Sequence, residues 1–270
     1  MRLPVRPSGG YTEHVLFAKP PVVEVVLGVQ FDRANASIVD LGGFATTLRE
    51  QYPDVIDVHS IPRTIEPPEG GFGGPVRVEL MNARVQMYAP GRQHFLQLQT
   101  DRLHANWQRT SDADTYPRFD GVWERFNAGW TKWKAYCGTS PPLPVQYEIT
   151  YVNHVQAGDL WSLDKSISVV CPWLRAPAFG SMPEVEAAFH YWVPECRGRL
   201  HVITRTARKL PEMRPVLVLE LTLRGANVKA GSDEDMKAWM DVAHEKIDAS
   251  FKALTSPEAH QAWRLQGGAS

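Results

Sequence analysis

The stretch RFDGVWERFNAGWTKWKAYC, residues 118–137, decides how the rest of the chain is read. Phe119, Val122, Trp123, Phe126, Trp130, Trp133 and Cys137 recur at steps of three or four, which is one apolar stripe along a helix. A stripe that wide has to lie against another apolar layer. The segments before it read as that layer. Val22–Phe31 is valine-rich and alternates, so it reads as a strand, and further strands are expected at about 76–89, 93–100 and 102–108. A shorter helix is expected over 37–51, with Ser37 as its N-cap, Pro53 as its stop, and Leu41, Phe44, Ala45 and Leu48 at helical spacing. Residues 53–75 hold five prolines and four glycines, so they read as a long connection with room for one short strand.

After Pro141-Pro142-Leu143-Pro144 the order repeats. A strand at 145–156 puts Val145, Tyr147, Ile149, Tyr151 and Val155 on one side. Strands at 166–171, 185–193, 199–208 and 215–224 follow, and then a helix from Ser232 to Leu254 capped by Ser232 with Asp235. The expectation is an α+β protein with an N-terminal arm (1–20) and two related β-α-β(3-4)-α halves, 21–140 and 141–270. Antiparallel sheets would pack on long helices, as in TATA-box-binding-protein-like or helix-grip folds. Two such sheets joined edge to edge would hide strand edges that otherwise invite aggregation.

Composition narrows the function. Twenty-nine basic residues against 30 acidic ones give a net charge of −1, which argues against nucleic acid or an anionic membrane as partner. Met1–Gly10 lacks the apolar run of a signal peptide, and Val22–Val29 is too short to cross a bilayer. Cys137, Cys171 and Cys196 form no CxxC, so a reducing cytoplasm is expected, without disulfides or a zinc knuckle. No GxSxG, HExxH, Walker or kinase pattern occurs, and Gly70–Gly74 has no lysine-serine behind it, so catalysis, metal and cofactor are not expected. His154 and His244 have no nucleophile or carboxylate at motif spacing.

Two hairpins can be set in register. A four-residue loop, Pro194–Arg197, pairs Tyr191 with Leu200 and Phe189 with Val202, and so puts His190 beside His201, two imidazoles without a third ligand. A turn at Pro90-Gly91 is expected to set Met87 against His94 and Val85 against Leu96. The opposite face then carries Arg84, Gln86, Gln97 and Gln99, an amide-rich surface that reads as a binding face. On that reading the face is wet or bonded to a partner, and replacing both Gln97 and Gln99 by alanine leaves stability nearly unchanged.

Several segments occur together: Lys19-Pro20-Pro21-Val22, Leu96-Gln97-Leu98-Gln99 with Asp101-Arg102-Leu103 and Asn106-Trp107, Tyr116-Pro117-Arg118-Phe119, Tyr151-Val152-Asn153, and Ala243-His244-Glu245-Lys246-Ile247 with Phe251 and Leu254. In these segments nearly the whole chain resembles a sporadically distributed family of uncharacterised bacterial proteins of about this length. The resemblance implies no catalytic residues. Its sporadic distribution is of the kind found for antiphage-defence and mobile-element genes. Asp101 and Arg102 are read as an ion pair at a turn, and Asn106 as an anchor for a neighbouring backbone. The candidate binding residues are Arg84, Gln86, Gln97, Gln99, Asp101, Arg102 and Asn106. The functional expectation is a non-catalytic component that binds another protein or a second copy of the chain. The alternatives are a small-molecule-binding helix-grip module and a nucleic-acid-binding saddle, the latter resting on Arg77, Arg84, Arg92, Arg102 and Arg109.

Overall fold

The computed structural model describes residues 16–32, 36–67, 69, 83–158, 160–162, 167–174, 184–226 and 233–266. The apolar runs form one antiparallel sheet of nine strands: β2 (Val22–Phe31), β3 (Asp54–His59), β4 (Ala83–Tyr88), β5 (His94–Gln99), β6 (Arg102–Gln108), β7 (Pro144–Gln156), β8 (Glu186–Val193), β9 (Gly198–Lys209) and β10 (Arg214–Gly225). Their order across the sheet is β3-β4-β5-β6-β2-β7-β10-β9-β8. Outward from the central β2–β7 pair it reads β6-β5-β4 on one side and β10-β9-β8 on the other. A second, two-stranded sheet joins β1 (Leu16–Phe17) to β11 (Leu265–Gln266). The helices are α1 (Ile38–Thr47), α2 (Arg118–Cys137), α3 (Asp233–Leu254) and the short α4 (Pro257–Ala262).

Strand alternation splits the sheet into two unlike faces. Val25, Leu27, Val29 and Phe31 of β2 face the helices together with Tyr147 and Ile149 of β7 and the four leucines 217, 219, 221 and 223 of β10. Helix α2 lies on β6 and β2, and α3 lies on β7 and β10. The predicted stripe is the buried side of α2: Phe126, Trp130 and Trp133 are fully enclosed. Trp133 meets Phe44 of α1 edge to face with ring centres 5.1 Å apart, a preferred aromatic geometry.

The sequence reading needs correcting in four places. The Pro90-Gly91 hairpin has the expected faces but a loop two residues longer, pairing Met87 with Leu96 and Val85 with Leu98. The reason is the turn: Gly91 and Arg92 both take positive φ, at 78° and 57°, and close a loop of four residues between Ala89 and His94. Residues 167–169, read as strand, form a single 3₁₀ turn. Helix α1 ends at Thr47, short of residue 51. Asn106 bonds to side chains rather than to backbone. Ser232, Arg77, Gly70–Gly74 and most of the N-terminal arm lie outside the described residues.

Gly198 and Gly225 face each other where β9 and β10 begin and end. A Cβ on Gly198 would sit 1.9 Å from the carbonyl oxygen of Arg224, a backbone atom that cannot step aside. Gly42, inside α1, has nothing within 4 Å of such a Cβ. Gly198→Ala is therefore expected to cost at least about 2 kcal/mol, whereas Gly42→Ala gains about 0.5–1 kcal/mol. Urea midpoints that move in opposite directions check this.

Candidate functional site

The sheet face away from the helices is polar, and the chain itself covers its middle. Residues 60–67 leave the edge strand β3 and cross the face as a strap. Gln99 holds both backbone groups of Ile61: its Oε1 accepts from the amide at 2.6 Å, and its Nε2 donates to the carbonyl at 3.1 Å. Arg102 donates to the Pro62 carbonyl, and Gln30 and Gln146 both donate to that of Thr64. Gln146 also accepts from the Glu66 amide at 2.7 Å. The Glu66 carboxylate ends the crossing on β9, 2.7 Å from His201 Nε2 and 3.6 Å from Arg199, with Arg224 3.8 Å away. Burial alone would raise the Glu66 carboxyl, but the His201 hydrogen bond and the charges of His201, Arg224 and Arg199 outweigh it and hold it below its ordinary value.

All seven residues proposed from sequence lie under or beside this strap, in two hydrogen-bonded groups. Arg84 and Gln86 both donate to Gln97, which donates to Asn106 at 2.8 Å, and Asn106 donates to Glu24 at 2.7 Å. Gln99 donates to Asp101, whose carboxylate lies 3.6 Å from Arg102 Nε, so the expected ion pair is present. Gln97 and Gln99 are 6% and 3% exposed, so the groups that match this face are the chain's own: side chains around Gln97 and the Ile61 backbone at Gln99. Beneath them His104 lies across Gly28, where a Cβ would stand 2.6 Å from the imidazole. Burial drives His104 down to about 4 and keeps it neutral. His190 and His201 pair as the register requires, with Nδ1 atoms 2.7 Å apart. Among the described residues no group of three histidine, cysteine or carboxylate side chains could hold a metal. Of the arginines considered for nucleic acid, Arg92 pairs with Asp54, and Arg109 donates to the Pro20 carbonyl.

The opposite side of the sheet holds a cleft that the sequence reading missed. It lies between the first turn of α2 and the middle of α3, over β2, β7 and β10, and encloses about 580 Å³. Four of the segments quoted for the resemblance meet there: Pro20 and Val22, Tyr116 to Phe119, Tyr151 with Asn153, and His244 to Ile247. The walls are aromatic, and a chain of polar groups runs along them. Tyr116 and Tyr151 share a hydroxyl–hydroxyl bond of 2.9 Å, Tyr151 reaches His244 Nδ1 at 3.1 Å, and His244 Nε2 stands 3.6 Å from Asp248. The His244 ring is sandwiched between Phe119, 4.3 Å away and nearly parallel, and Tyr151. Burial raises the phenols of Tyr116 and Tyr151 above their ordinary value. It also lifts Asp248 from 3.8 to about 7, against the pull of Arg118. Arg118 opens α2 at φ 65°, in the left-handed region, with its guanidinium bonded to the Phe17 carbonyl at 3.1 Å. The signal in the sequence was there: Ala243, Ile247 and Phe251 define the buried side of α3, and His244 and Asp248 sit beside that stripe one turn apart.

Removing Gln99 strands the two Ile61 backbone groups, and a buried unpaired group costs about 1–3 kcal/mol. The Gln97→Ala, Gln99→Ala double variant is therefore expected to melt well below the parent, opposite to the result expected from sequence. A melting curve decides. Asp248 gives a second test. Its folded pKa lies above its unfolded one, so the folded state retains a proton that the unfolded state releases between about pH 4 and 7. Stability due to this group is lost as pH rises through that window. Asp248→Asn should therefore melt about 3–6 °C above the parent at pH 8 and level with it at pH 4. Comparison of the chain with protein-family models, curated proteins and solved structures finds no match, so these two sites carry the functional reading.

Proposed function

We propose that the protein binds a small molecule in the cleft between α2 and α3. The observation that carries this is the cleft itself. Its volume of about 580 Å³ suits a metabolite-sized ligand, and its walls combine apolar rings with a few convergent polar groups. A buried carboxylate raised to about 7 is a further mark of such a site. The polar face supports a binding role less well, because its amides are already engaged, Gln30, Gln99 and Gln146 by residues 60–67 and Gln86, Gln97 and Asn106 by neighbouring side chains.

The architecture fits this reading. The strand order mirrored about β2–β7, with α2 and α3 placed alike on the same face, supports two related halves of the TATA-box-binding-protein-like or helix-grip kind, β-α-β(4)-α in the first and, among the described residues, with only the 3₁₀ turn Ile167–Val169 between β7 and β8 in the second. The cleft falls at the seam, where the first turn of α2 meets α3. The three free cysteines, two of them buried, fit a reducing compartment.

Glu245 is exposed at the cleft, so a tryptophan there would fill the entrance without touching the core. A library of soluble fragments screened by ligand-observed NMR should give hits on the parent that vanish with Glu245→Trp, while the variant's melting temperature stays put. No hits on the parent, or hits that bind the variant equally well, would overturn the reading.

A further inference from the structure

We propose that the cleft takes an organic cation, an amine or quaternary ammonium group seated against carboxylates with its hydrocarbon part on the aromatic walls. This rests on the cleft being the ligand site. Two independent features of the lining select the class. The first is charge. Asp120, Asp241, Glu245 and Asp248 contribute four carboxyl groups against one guanidinium, that of Arg118. Arg118 is already committed to the Phe17 carbonyl. An anionic ligand would meet four carboxylates for one partly engaged cation. A cation has a choice of partners, among them Asp120 and Glu245, which make no ion pair with another described residue.

The second feature is the walls. Phe17, Phe119 and Phe251 line the cleft, yet each is under a tenth exposed, so the rings are held dry against the core. An aromatic face attracts a cation most strongly where water is excluded. The molecule already uses this combination at the rim. Lys237 pairs with Asp241 and stands 5.5 Å from the ring centres of both Phe119 and Trp123. A ligand ammonium deeper in the cleft would repeat that arrangement with Asp248, with Glu245 adding negative charge at the entrance.

The pH dependence follows from Asp248 in its full setting. Arg118 and Asp120 face it from α2, Tyr116 from the turn before α2, and Tyr151 from β7. On α3 itself are Asp241, His244, Glu245 and, one turn on, Lys252. Ionised Asp248 attracts the ligand and protonated Asp248 does not. With its titration near 7, affinity for a permanent cation should rise about tenfold from pH 6 to pH 8, and binding near neutrality should release protons.

The test is calorimetric titration of the full chain with three probes that share a phenyl ring and differ in the charge of the head group: benzyltrimethylammonium, benzyl alcohol and benzoate. The expected result is binding of the ammonium at least tenfold tighter than of the alcohol, with benzoate weakest and all binding lost in Glu245→Trp. Asp248→Asn should flatten the rise with pH, and Glu245→Gln should weaken the cation severalfold without moving the alcohol. Benzyl alcohol or benzoate binding as tightly as the ammonium, in a manner that Glu245→Trp abolishes, would overturn the cation class and leave the cleft as a ligand site. Failure of all three probes would also overturn the cation class, and the fragment screen then judges the cleft separately. A pH profile unchanged in Asp248→Asn would remove Asp248 from the recognition.

Discussion

The antiparallel pairing of β2 with β7 is the constraint on which the other elements depend. These two strands are neighbours in space although more than a hundred residues separate their starts, and each has on its outer side the strand that precedes a long helix, β6 before α2 or β10 before α3. The pairing closes two edges that each half alone would expose. It also sets the alternation of the whole sheet. Once Val25 and Leu27 face the helices beside Tyr151 and Ile149, Gly28 and Gln30 must face the other way beside Glu148 and Gln146. One register thus creates both the apolar floor under α2 and α3 and the polar layer under the strap.

That polar layer is a costly thing to build, and the strap is what makes it possible. Glu148, His104, Arg102 and Arg224 are all withdrawn from water by their neighbours. Burial raises the Glu148 carboxyl, but the charge and hydrogen bond of Arg224 and the charge of Arg102 hold it below its ordinary value, so it remains an anion among cations. The strap then gives the glutamines partners that have fixed geometry, because backbone amides and carbonyls cannot rotate away. Connections between adjacent antiparallel strands usually take two to five residues. The one between β3 and β4 runs from residue 60 to 82, and its first part reaches β9 on the other half of the sheet. The connection therefore ties the two halves together a second time, on the face opposite the helices.

Most of the elements were legible in the sequence because their periodicity is local. The α2 stripe, the β2 alternation and the β8–β9 register each follow from residues within one segment or across one short turn. The candidate residues Arg84, Gln86, Gln97 and Gln99 on β4 and β5 were brought onto one face by the same logic, and they do share it, whereas Arg102 and Asn106 on β6 came from the resemblance. What covers that face was not legible. A proline-rich run gives no periodicity, and its hydrogen bonds to Gln30, Gln99 and Gln146 join positions 34 to 82 residues apart. The cleft was hidden for the same reason. Tyr116, Tyr151 and His244 come from a turn, a strand and a helix, and no spacing rule links them.

The two polar zones differ in a way that separates support from function. In the layer under the strap nearly every amide finds a partner with ordinary geometry, and the carboxylates Glu66 and Glu148 lie below their ordinary values because cations surround them. Arg102 Nε and His104 Nε2 stay buried there without a hydrogen bond, and burial raises the Glu24 carboxyl, but most of the layer is bonded to the chain itself, and adding a ligand would mean breaking bonds already made. In the cleft the balance is reversed. Asp248 is raised because burial outweighs the one cation near it, and its distance of 3.6 Å from His244 is too long for a direct hydrogen bond. A carboxylate partly withdrawn from water, with no close donor among the described residues, costs stability when it ionises. A ligand able to supply positive charge beside Asp248 would recover that energy on binding, which is why the cleft carries the functional argument.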